Sequence, residues 1–322
     1  MMTTIRNFTG TDITEIVKVW NVAMPYNAIS KEAFIKNFVL DHNFDENGFF
    51  VAECDGEIIG FIYALVRKYP VDVGAPAEDE FGYINAIGLK YEEDVLTLGK
   101  ELVRKAEEYI KSYGKETIQV SKYTPHYIYQ GINAKYELYV QLFNEMGYDE
   151  LYRNCSRAID LLNYVRPEEI DELKAQREKE GFIFTDMKDE YILKLMKYYT
   201  PGWTHRFRRL LLETMDYTKF NLIVYKDEVV GACVFGDTYS CPERYGPYSV
   251  DENYRGLGLG KILAHECFTK MKEQGLQCAW AQSTPISGAA SFVYDKIGFK
   301  QTAEYIIFTK RECKKSPDHK KA

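Results

Sequence analysis

The stretch of this 322-residue chain whose residues best predict chemistry is Arg255-Gly256-Leu257-Gly258-Leu259-Gly260-Lys261. It follows an extended-looking run, Tyr245 to Val250, and it begins a predicted helix. Glycines allow the backbone to turn so that its N–H groups converge, and a helix N-terminus adds partial positive charge. Arg255 and Lys261 add full positive charges. The stretch therefore predicts a cradle for a pyrophosphate group, and with it a phosphorylated cofactor.

The spacing of the glycines excludes two better-known phosphate loops. A P-loop needs four residues before its Gly-Lys pair and a Ser or Thr after it, whereas Gly256 and Gly260 enclose three residues and Ile262 follows Lys261. A Rossmann loop would need its third glycine at Lys261. The predicted cradle must therefore be a third type of phosphate-binding loop.

The pattern Arg-x-x-Gly-x-Gly at Arg255, Gly258 and Gly260 resembles the acetyl-CoA loop of the GCN5-related N-acetyltransferases (GNAT). Downstream, Tyr294-Asp295-Lys296-Ile297-Gly298-Phe299 is similar to the Tyr-x-x-x-Gly-Phe helix end of that family. Two motifs in the family's order are more specific than either alone. The resemblance covers roughly residues 181 to 312 and implies acetyl-CoA (coenzyme A) as the cofactor.

Periodic apolar residues predict the elements that must position these motifs. A helix after the cradle is indicated by the apolar positions Leu259, Ile262, Leu263, Cys267 and Met271. A short strand is indicated by the apolar segment Cys278 to Ala281. Upstream, the runs Phe220 to Tyr225 and Val229 to Phe235 predict a hairpin, because only the polar Lys226-Asp227-Glu228 separates them.

An internal repeat predicts that the chain contains two copies of one fold. Three short motifs recur in order: Glu57-Ile58-Ile59-Gly60 as Glu228-Val229-Val230-Gly231, Leu98-Gly99-Lys100 as Leu259-Gly260-Lys261, and Met146-Gly147-Tyr148 as Ile297-Gly298-Phe299. Extra residues of the first copy are expected around Tyr69 to Glu80 and Tyr123 to Lys135. With the resemblance, the repeat implies an α/β fold of two tandem GNAT-like acyl-CoA N-acyltransferase domains, each a twisted, mostly antiparallel mixed sheet flanked by helices. The layout is similar to that of mycothiol synthase.

The expected organisation is a degenerate domain over residues 1–162, a linker over 163–180, an active domain over 181–312 and a basic tail over 313–322. The first copy is expected to be a scaffold. It carries Asp94, Val95 and Thr97 where the second has Arg255, Gly256 and Gly258, and Phe143 where the second has Tyr294. An acidic residue repels phosphate, and Val and Thr disfavour the backbone angles that glycine permits.

The resemblance also implies residue roles in the second domain. Cradle contacts to the cofactor come from Arg255, Gly256, Gly258, Leu259, Gly260 and Lys261. The strand before the cradle, at Tyr248, Ser249 and Val250, offers backbone groups to the pantetheine arm and the thioester carbonyl. Pro247 in that strand predicts a bulge or an unpaired stretch. Tyr294 is the expected general acid. Ser287 stands where many relatives carry an Asn, and we expect a cofactor contact there.

The general base is less determined by the sequence. Glu243, just before the cradle strand, is the first candidate, and Asp237 and His205 are alternatives. The segment Tyr198 to Phe207 predicts either a wall of the acceptor pocket or a helix break that caps the core. The arginines that follow, at positions 206, 208 and 209, either attract an acidic acceptor or cover the surface.

Composition limits the remaining function classes. The formal net charge is −7 and no extended basic surface is indicated, so a nucleic-acid partner is not expected. We expect no membrane span, no metal site, reduced cysteines and a cytoplasmic location. The oligomeric state stays open. The sequence thus predicts an acetyl-CoA-dependent N-acetyltransferase for a small-molecule amine. The alternatives are a noncatalytic acyl-CoA-binding or sensing protein, and an O-acyl or longer-chain acyltransferase.

Overall fold

The computed structural model describes residues 3–70, 80–123, 131–198, 211, 215–236 and 241–311. These residues form two compact units. The first unit holds the described residues up to Arg153 together with those from Tyr305 onward, and the second holds those from Asn154 to Glu304. The last described residues of the chain therefore belong to the first unit and not to the second.

The first unit is a sheet with helices on its faces. Its strands are β1 (Thr3–Asn7), β2 (Phe49–Cys54), β3 (Glu57–Val66), β4 (Phe81–Leu89), β5 (Thr117–Val120) and β6 (Ile132–Asn133). Its helices are α1 (Ile13–Ala23), α2 (Lys31–Phe34), α3 (Leu98–Ser112) and α4 (Glu137–Glu145). Strands β1 to β4 are antiparallel neighbours, and β5 lies parallel to β4. A parallel neighbour requires a crossover, which α3 supplies.

The second unit repeats this arrangement in the same order. Its elements are α5 (Glu168–Lys179), β8 (Ile183–Asp186), α6 (Asp189–Tyr198), β9 (Phe220–Tyr225), β10 (Glu228–Phe235), β11 (Arg244–Val250), α7 (Leu259–Glu273), β12 (Cys278–Pro285) and α8 (Ala289–Lys296). Strands β8 to β11 are antiparallel neighbours, and β12 lies parallel to β11. The predicted fold class, a mixed and mostly antiparallel sheet with helices, is confirmed.

Each of two long strands has residues in both units. They are β7 (Asp149–Asp160) and β13 (Lys300–Arg311). The part of β7 from Asn154 onward pairs with β12 in the second unit, whereas the end of β13 pairs with β5 and β6 in the first. Each unit is thus completed by a strand from the other half of the chain. The domain bounds given above stay a prediction, and they do not contain this exchange.

The exchanged strand β13 carries core residues of the first unit. Ile306 and Phe308 are buried there, and the Phe308 ring stacks on that of Phe143 with 5.6 Å between centroids. Phe143 is the residue that occupies the position equivalent to Tyr294. It serves as a packing residue, as the sequence predicts for a scaffold copy.

Local predictions are confirmed where periodicity or turn chemistry determines structure. All five apolar positions expected on the helix after the cradle are buried in α7. The corresponding helix of the first unit, α3, buries a periodic apolar face of its own, made of Leu98, Leu102, Val103, Ala106 and Ile110. The β9–β10 hairpin turns through Lys226 and Asp227, whose φ angles are +48° and +68°.

Six described cysteines are free thiols, and no group of metal ligands occurs in the part of the chain that is described.

Candidate cofactor and acyl-transfer site

A strand that separates from its neighbour creates the site in the second unit. Parallel pairing of β11 with β12 is confined to Arg244 opposite Trp280 and Tyr245 opposite Ala281. Beyond Tyr245, β11 stays paired only with β10, and the register shifts between Cys233 and Phe235. This irregularity lies opposite Gly246 and Pro247, which confirms the bulge predicted from Pro247. The edge of β11 from Gly246 to Val250 is open for a ligand.

The cradle itself has the backbone conformation that its glycines predict. Gly256 and Gly258 have φ angles of +82° and +76°, in the left-handed region that favours glycine. Among the described residues, none accepts a hydrogen bond from the N–H groups of residues 256 to 261. The first bond that closes α7 runs from the Ile262 N–H to the Gly258 carbonyl, at 3.2 Å. The loop therefore presents backbone donors at a helix N-terminus, as an anion site requires.

Two glycines of the cradle are also needed for close packing. A β-carbon on Gly258 would lie 2.7 Å from Cδ2 of Leu173, and one on Gly260 would collide with the hydroxyl of Tyr248. Tyr248 belongs to the open part of β11. The cradle and the open strand edge are therefore in direct contact.

The segment before β8 docks on the cradle helix. Glu266 of α7 pairs with Arg166 at 2.7 Å and with Lys174 at 3.0 Å, and Glu169 forms an ion pair with Lys261 of the cradle. The predicted connector over 163–180 thus contains the helix α5, and α5 packs against α7.

His265 of α7 has a structural environment. Its Nδ1 lies 2.8 Å from the Tyr164 hydroxyl. Burial, with smaller contributions from Lys261 and Arg166, lowers the pKa of His265 to about 4. The ring is therefore neutral at physiological pH.

Tyr294 lies on α8 next to the open strand. Its ring meets Phe299 edge-on at 5.3 Å, and its centroid is 6.4 Å from that of Tyr248. Burial raises the pKa of Tyr294 to about 12, and the charges of Arg244 and Arg157 oppose the shift. The phenol is therefore protonated at neutral pH. Its hydroxyl makes no hydrogen bond to a described residue.

Sequence reasoning missed Arg157 of β7. Its guanidinium is buried, donates to the Ser291 hydroxyl at 2.6 Å, and forms an ion pair with Asp295. Both partners are on α8. No local pattern marks Arg157, because its role depends on pairing between β7 and β12, which lie far apart in the sequence.

Three further residues predicted for the site, Ser249, Ser287 and Glu243, do not form one cluster. Ser249 lies 3.1 Å, hydroxyl to hydroxyl, from Tyr198 at the end of α6, and Ser287 is exposed in the loop before α8. Glu243 lies near Cys278, whose pKa is raised by burial first and then by Glu243. No hydrogen bond or ion pair joins Glu243 to Tyr294 among the described residues. The alternatives Asp237 and His205 lie outside the described residues, as do the arginines at 206, 208 and 209.

The equivalent positions of the first unit have a different backbone and environment. Val95 is buried, and Thr97, the N-cap residue of α3, has a negative φ of −112° instead of a left-handed backbone. Among the described residues, the left-handed glycine turn of the cradle therefore occurs in the second unit and not at the equivalent positions of the first.

Comparisons with known proteins agree with this architecture. The family model described as "Acetyltransferase (GNAT) family" matches residues 14–126 and 186–299, which is more than half of the chain. A search of curated proteins finds no match. No helix among the described residues has the length and apolar character needed to cross a bilayer.

Solved structures share the fold at low sequence identity. A fungal multi-domain β-N-acetylglucosaminidase that contains a GCN5-related glucosamine N-acetyltransferase region aligns with a TM-score of 0.75 and 15% identity, with 96% of this chain and 38% of that one covered. A GCN5-related N-acetyltransferase from Sphaerobacter thermophilus gives 0.67 and 17% identity, with 96% of this chain and 95% of that one covered. A tandem GNAT protein from the clavulanic acid biosynthesis pathway gives 0.65 and 13% identity, with 96% and 98% covered.

The two family matches fall on the two halves of the sequence repeat, and the second contains the open strand, the cradle and Tyr294. The chain belongs to the GNAT acetyltransferase family, as a tandem two-domain member.

Proposed function

We propose that this protein is an acetyl-CoA-dependent N-acetyltransferase that moves an acetyl group to the amine of a small-molecule acceptor. The observation that carries the proposal is the contact of three features in the second unit: the open edge of β11, the left-handed glycine cradle and Tyr294. The family membership supports acyl transfer in general. The acetyl group, the amine and the cofactor are our inference.

Each feature has a role in this reaction. When bound, acetyl-CoA supplies the acyl group as a thioester. The N–H groups of the cradle, with Arg255, hold the pyrophosphate. The open edge of β11 at Tyr248 to Val250 orients the pantetheine arm and polarises the carbonyl. The amine nitrogen bonds to the carbonyl carbon as the carbon–sulfur bond breaks, and Tyr294 donates its proton to the departing sulfur.

Glu243 remains our proposal for the base that receives the amine proton. Its support is its place at the start of β11, at the edge where β11 and β12 still pair. Its backbone carbonyl accepts a hydrogen bond from the Trp280 N–H of β12 at 2.8 Å, which fixes its backbone at this edge. The variant Glu243→Gln should lower the rate of transfer to the amine and leave acetyl-CoA binding in place. An unchanged rate would assign the base elsewhere.

Calorimetric titration of acetyl-CoA on the intact chain tests the proposal. We expect one site per chain, which the Gly258→Val variant loses, and consumption of acetyl-CoA with members of an amine panel. Two sites would show that the first unit also binds, and no binding would contradict the proposal.

The acceptor and acyl panels separate the alternatives. Binding without transfer to any amine would indicate an acyl-CoA-binding or sensing protein. Transfer to hydroxyl compounds, or a preference for longer acyl chains, would indicate the third class of function. The oligomeric state of the protein can be measured on the same sample.

A further inference from the structure

Arg157 is a buried charge that the proposed reaction does not use directly. Its side chain is 4% exposed, whereas that of its ion-pair partner Asp295 is 59% exposed. Buried charges are costly unless they are paired and hydrogen-bonded. The Nη groups of Arg157 are satisfied by Ser291 and Asp295, but its Nε–H has no partner among the described residues.

Both partners of Arg157 lie on the helix that carries Tyr294. Ser291 and Asp295 are one helical turn apart, so they share a face of α8. Ser291 also donates to the Ile286 carbonyl at 3.0 Å, which ties the loop before α8 to the same contact. The guanidinium therefore connects two points along α8 to the strand β7.

The short helix needs such an anchor. Helix α8 has eight residues, fewer than an isolated helix needs for stability in water. Phe292 and Val293 are 59% and 38% exposed, so they contribute little to packing. Among the side chains of α8 that the structure describes, Ser291 is buried and Tyr294 is half-buried, so the contacts of Ser291 and Asp295 with Arg157 bear directly on the rotation of α8 about its axis. This rotation sets where the Tyr294 hydroxyl lies.

We propose that Arg157 is a positioning residue for acyl transfer, which fixes the rotation of α8 through Ser291 and Asp295 and so holds Tyr294 beside Tyr248 of the open strand. The inference rests on the proposed function. It also gives the first half of the sequence a part in the reaction, because β7 belongs to that half while Asn154 to Asp160 complete the second unit.

Hydrogen–deuterium exchange tests the anchoring step without any assay of activity. In the intact chain, Arg157→Gln should accelerate exchange of the amides of α8 by about tenfold, because opening of a short helix is a local event. Arg153→Gln is the matched control, since Arg153 lies on the same strand, is 42% exposed and pairs with Glu150 at 2.7 Å. The control should leave α8 unchanged. Unchanged exchange in Arg157→Gln would overturn the inference.

Turnover tests the positioning step. Arg157→Gln should lower kcat by about 10- to 100-fold, as expected when a general acid is displaced, and leave the dissociation constant of acetyl-CoA within about threefold. In a Tyr294→Phe background the same substitution should cost less than about threefold, because the group it positions is gone. Rescue of kcat by Arg157→Lys would be partial, since lysine keeps the charge and loses the two-pronged geometry.

Other outcomes separate the two proposals. An equal loss in the Tyr294→Phe background, or a matching loss of acetyl-CoA affinity, would show a general structural role and overturn the inference. If Arg157→Gln does not fold, Ser291→Ala and Asp295→Asn each remove one arm of the contact and should show smaller losses with the same pattern. An active wild type whose variants all retain full kcat would overturn the positioning role alone. A wild type that neither binds nor consumes acetyl-CoA would overturn the proposed function, and the positioning role with it.

Discussion

Cδ2 of Leu173 lies 2.7 Å from the position that a β-carbon would take on Gly258. Leu173 belongs to α5, and Gly258 is the N-cap of α7 with a φ of +76°. The cradle is therefore closed to larger residues for two independent reasons, the left-handed backbone and the helix packed behind it.

Replacing Gly258 by Val should abolish most of the affinity for acetyl-CoA. The left-handed conformation costs a residue with a side chain about 1–2 kcal/mol, and relief of the collision requires the Leu173 side chain or the loop to move. We expect the dissociation constant to rise by at least about tenfold in calorimetry. The control is Thr97→Val in the first unit, which should bind normally because Thr97 has an ordinary φ of −112°. Equal losses in both variants would refute the assignment of a single cofactor unit.

Removal of the carboxylate of Glu169 should strengthen cofactor binding. Glu169 pairs with Lys261, so it competes with a phosphate for the lysine of the cradle. Both side chains are substantially exposed, and we expect Glu169→Gln to lower the dissociation constant by only about twofold to fivefold, less at high salt. Glu168→Gln removes the same charge from the same turn of α5. Equal effects of the two substitutions would mean a general change of potential instead of a released lysine.

Replacement of Tyr294 by Phe should affect turnover and leave binding nearly intact. The variant loses the proton donor but keeps the edge-on contact with Phe299. We expect kcat to fall by about 100-fold or more, with an unchanged dissociation constant for acetyl-CoA. Because the pKa of Tyr294 is about 12, the wild type should show no loss of rate from ionisation of this phenol below about pH 10. Unchanged turnover in the variant would remove the acid role.

His265 should make the second unit sensitive to mild acid. Its pKa is about 4 in the folded protein and about 6.5 when unfolded, so the unfolded state binds the proton first as the pH falls. This contribution to stability is present above pH 6.5 and is lost as the pH falls towards 4, up to about 3 kcal/mol. Urea unfolding of His265→Gln between pH 7.5 and pH 4.5 should show a shallower decline than the wild type. His42→Gln, at an exposed histidine, should retain the wild-type decline, and a parallel decline in His265→Gln would contradict the assignment.

The exchange of strands should prevent either half of the chain from folding alone. A fragment of residues 1–162 lacks Ile306 and Phe308, and a fragment of residues 163–322 lacks the β7 residues that pair with β12. We expect each fragment to melt without cooperativity and the coexpressed fragments to associate into a cooperative complex, measured by calorimetry and size-exclusion chromatography. A cooperative melt of the second fragment alone, with acetyl-CoA binding, would contradict this expectation.

Local features of the fold were accessible from the sequence. The conformation of Gly256 and Gly258 follows from glycine freedom, and the buried faces of α3 and α7 follow from the period of the helix. The Lys226-Asp227 turn follows from polar residues between two strand-like runs. These properties depend on residues within a few positions of one another, so a single sequence contains them. The repeat added the family-like succession of elements in both halves.

Only the tertiary structure decided which segments are joined at a distance. Alternation along β7 and β13 predicts which side chains share a face, but it does not identify the neighbouring strand, because backbone hydrogen bonding is the same for every partner. The exchange of these strands, the docking of α5 on α7 and the hold of Arg157 on Ser291 and Asp295 were therefore absent from the sequence analysis. The sequence by itself determined the backbone conformation of the cradle, because that conformation depends on glycines within a few positions, whereas long-range pairing decided which half of the chain supports Tyr294.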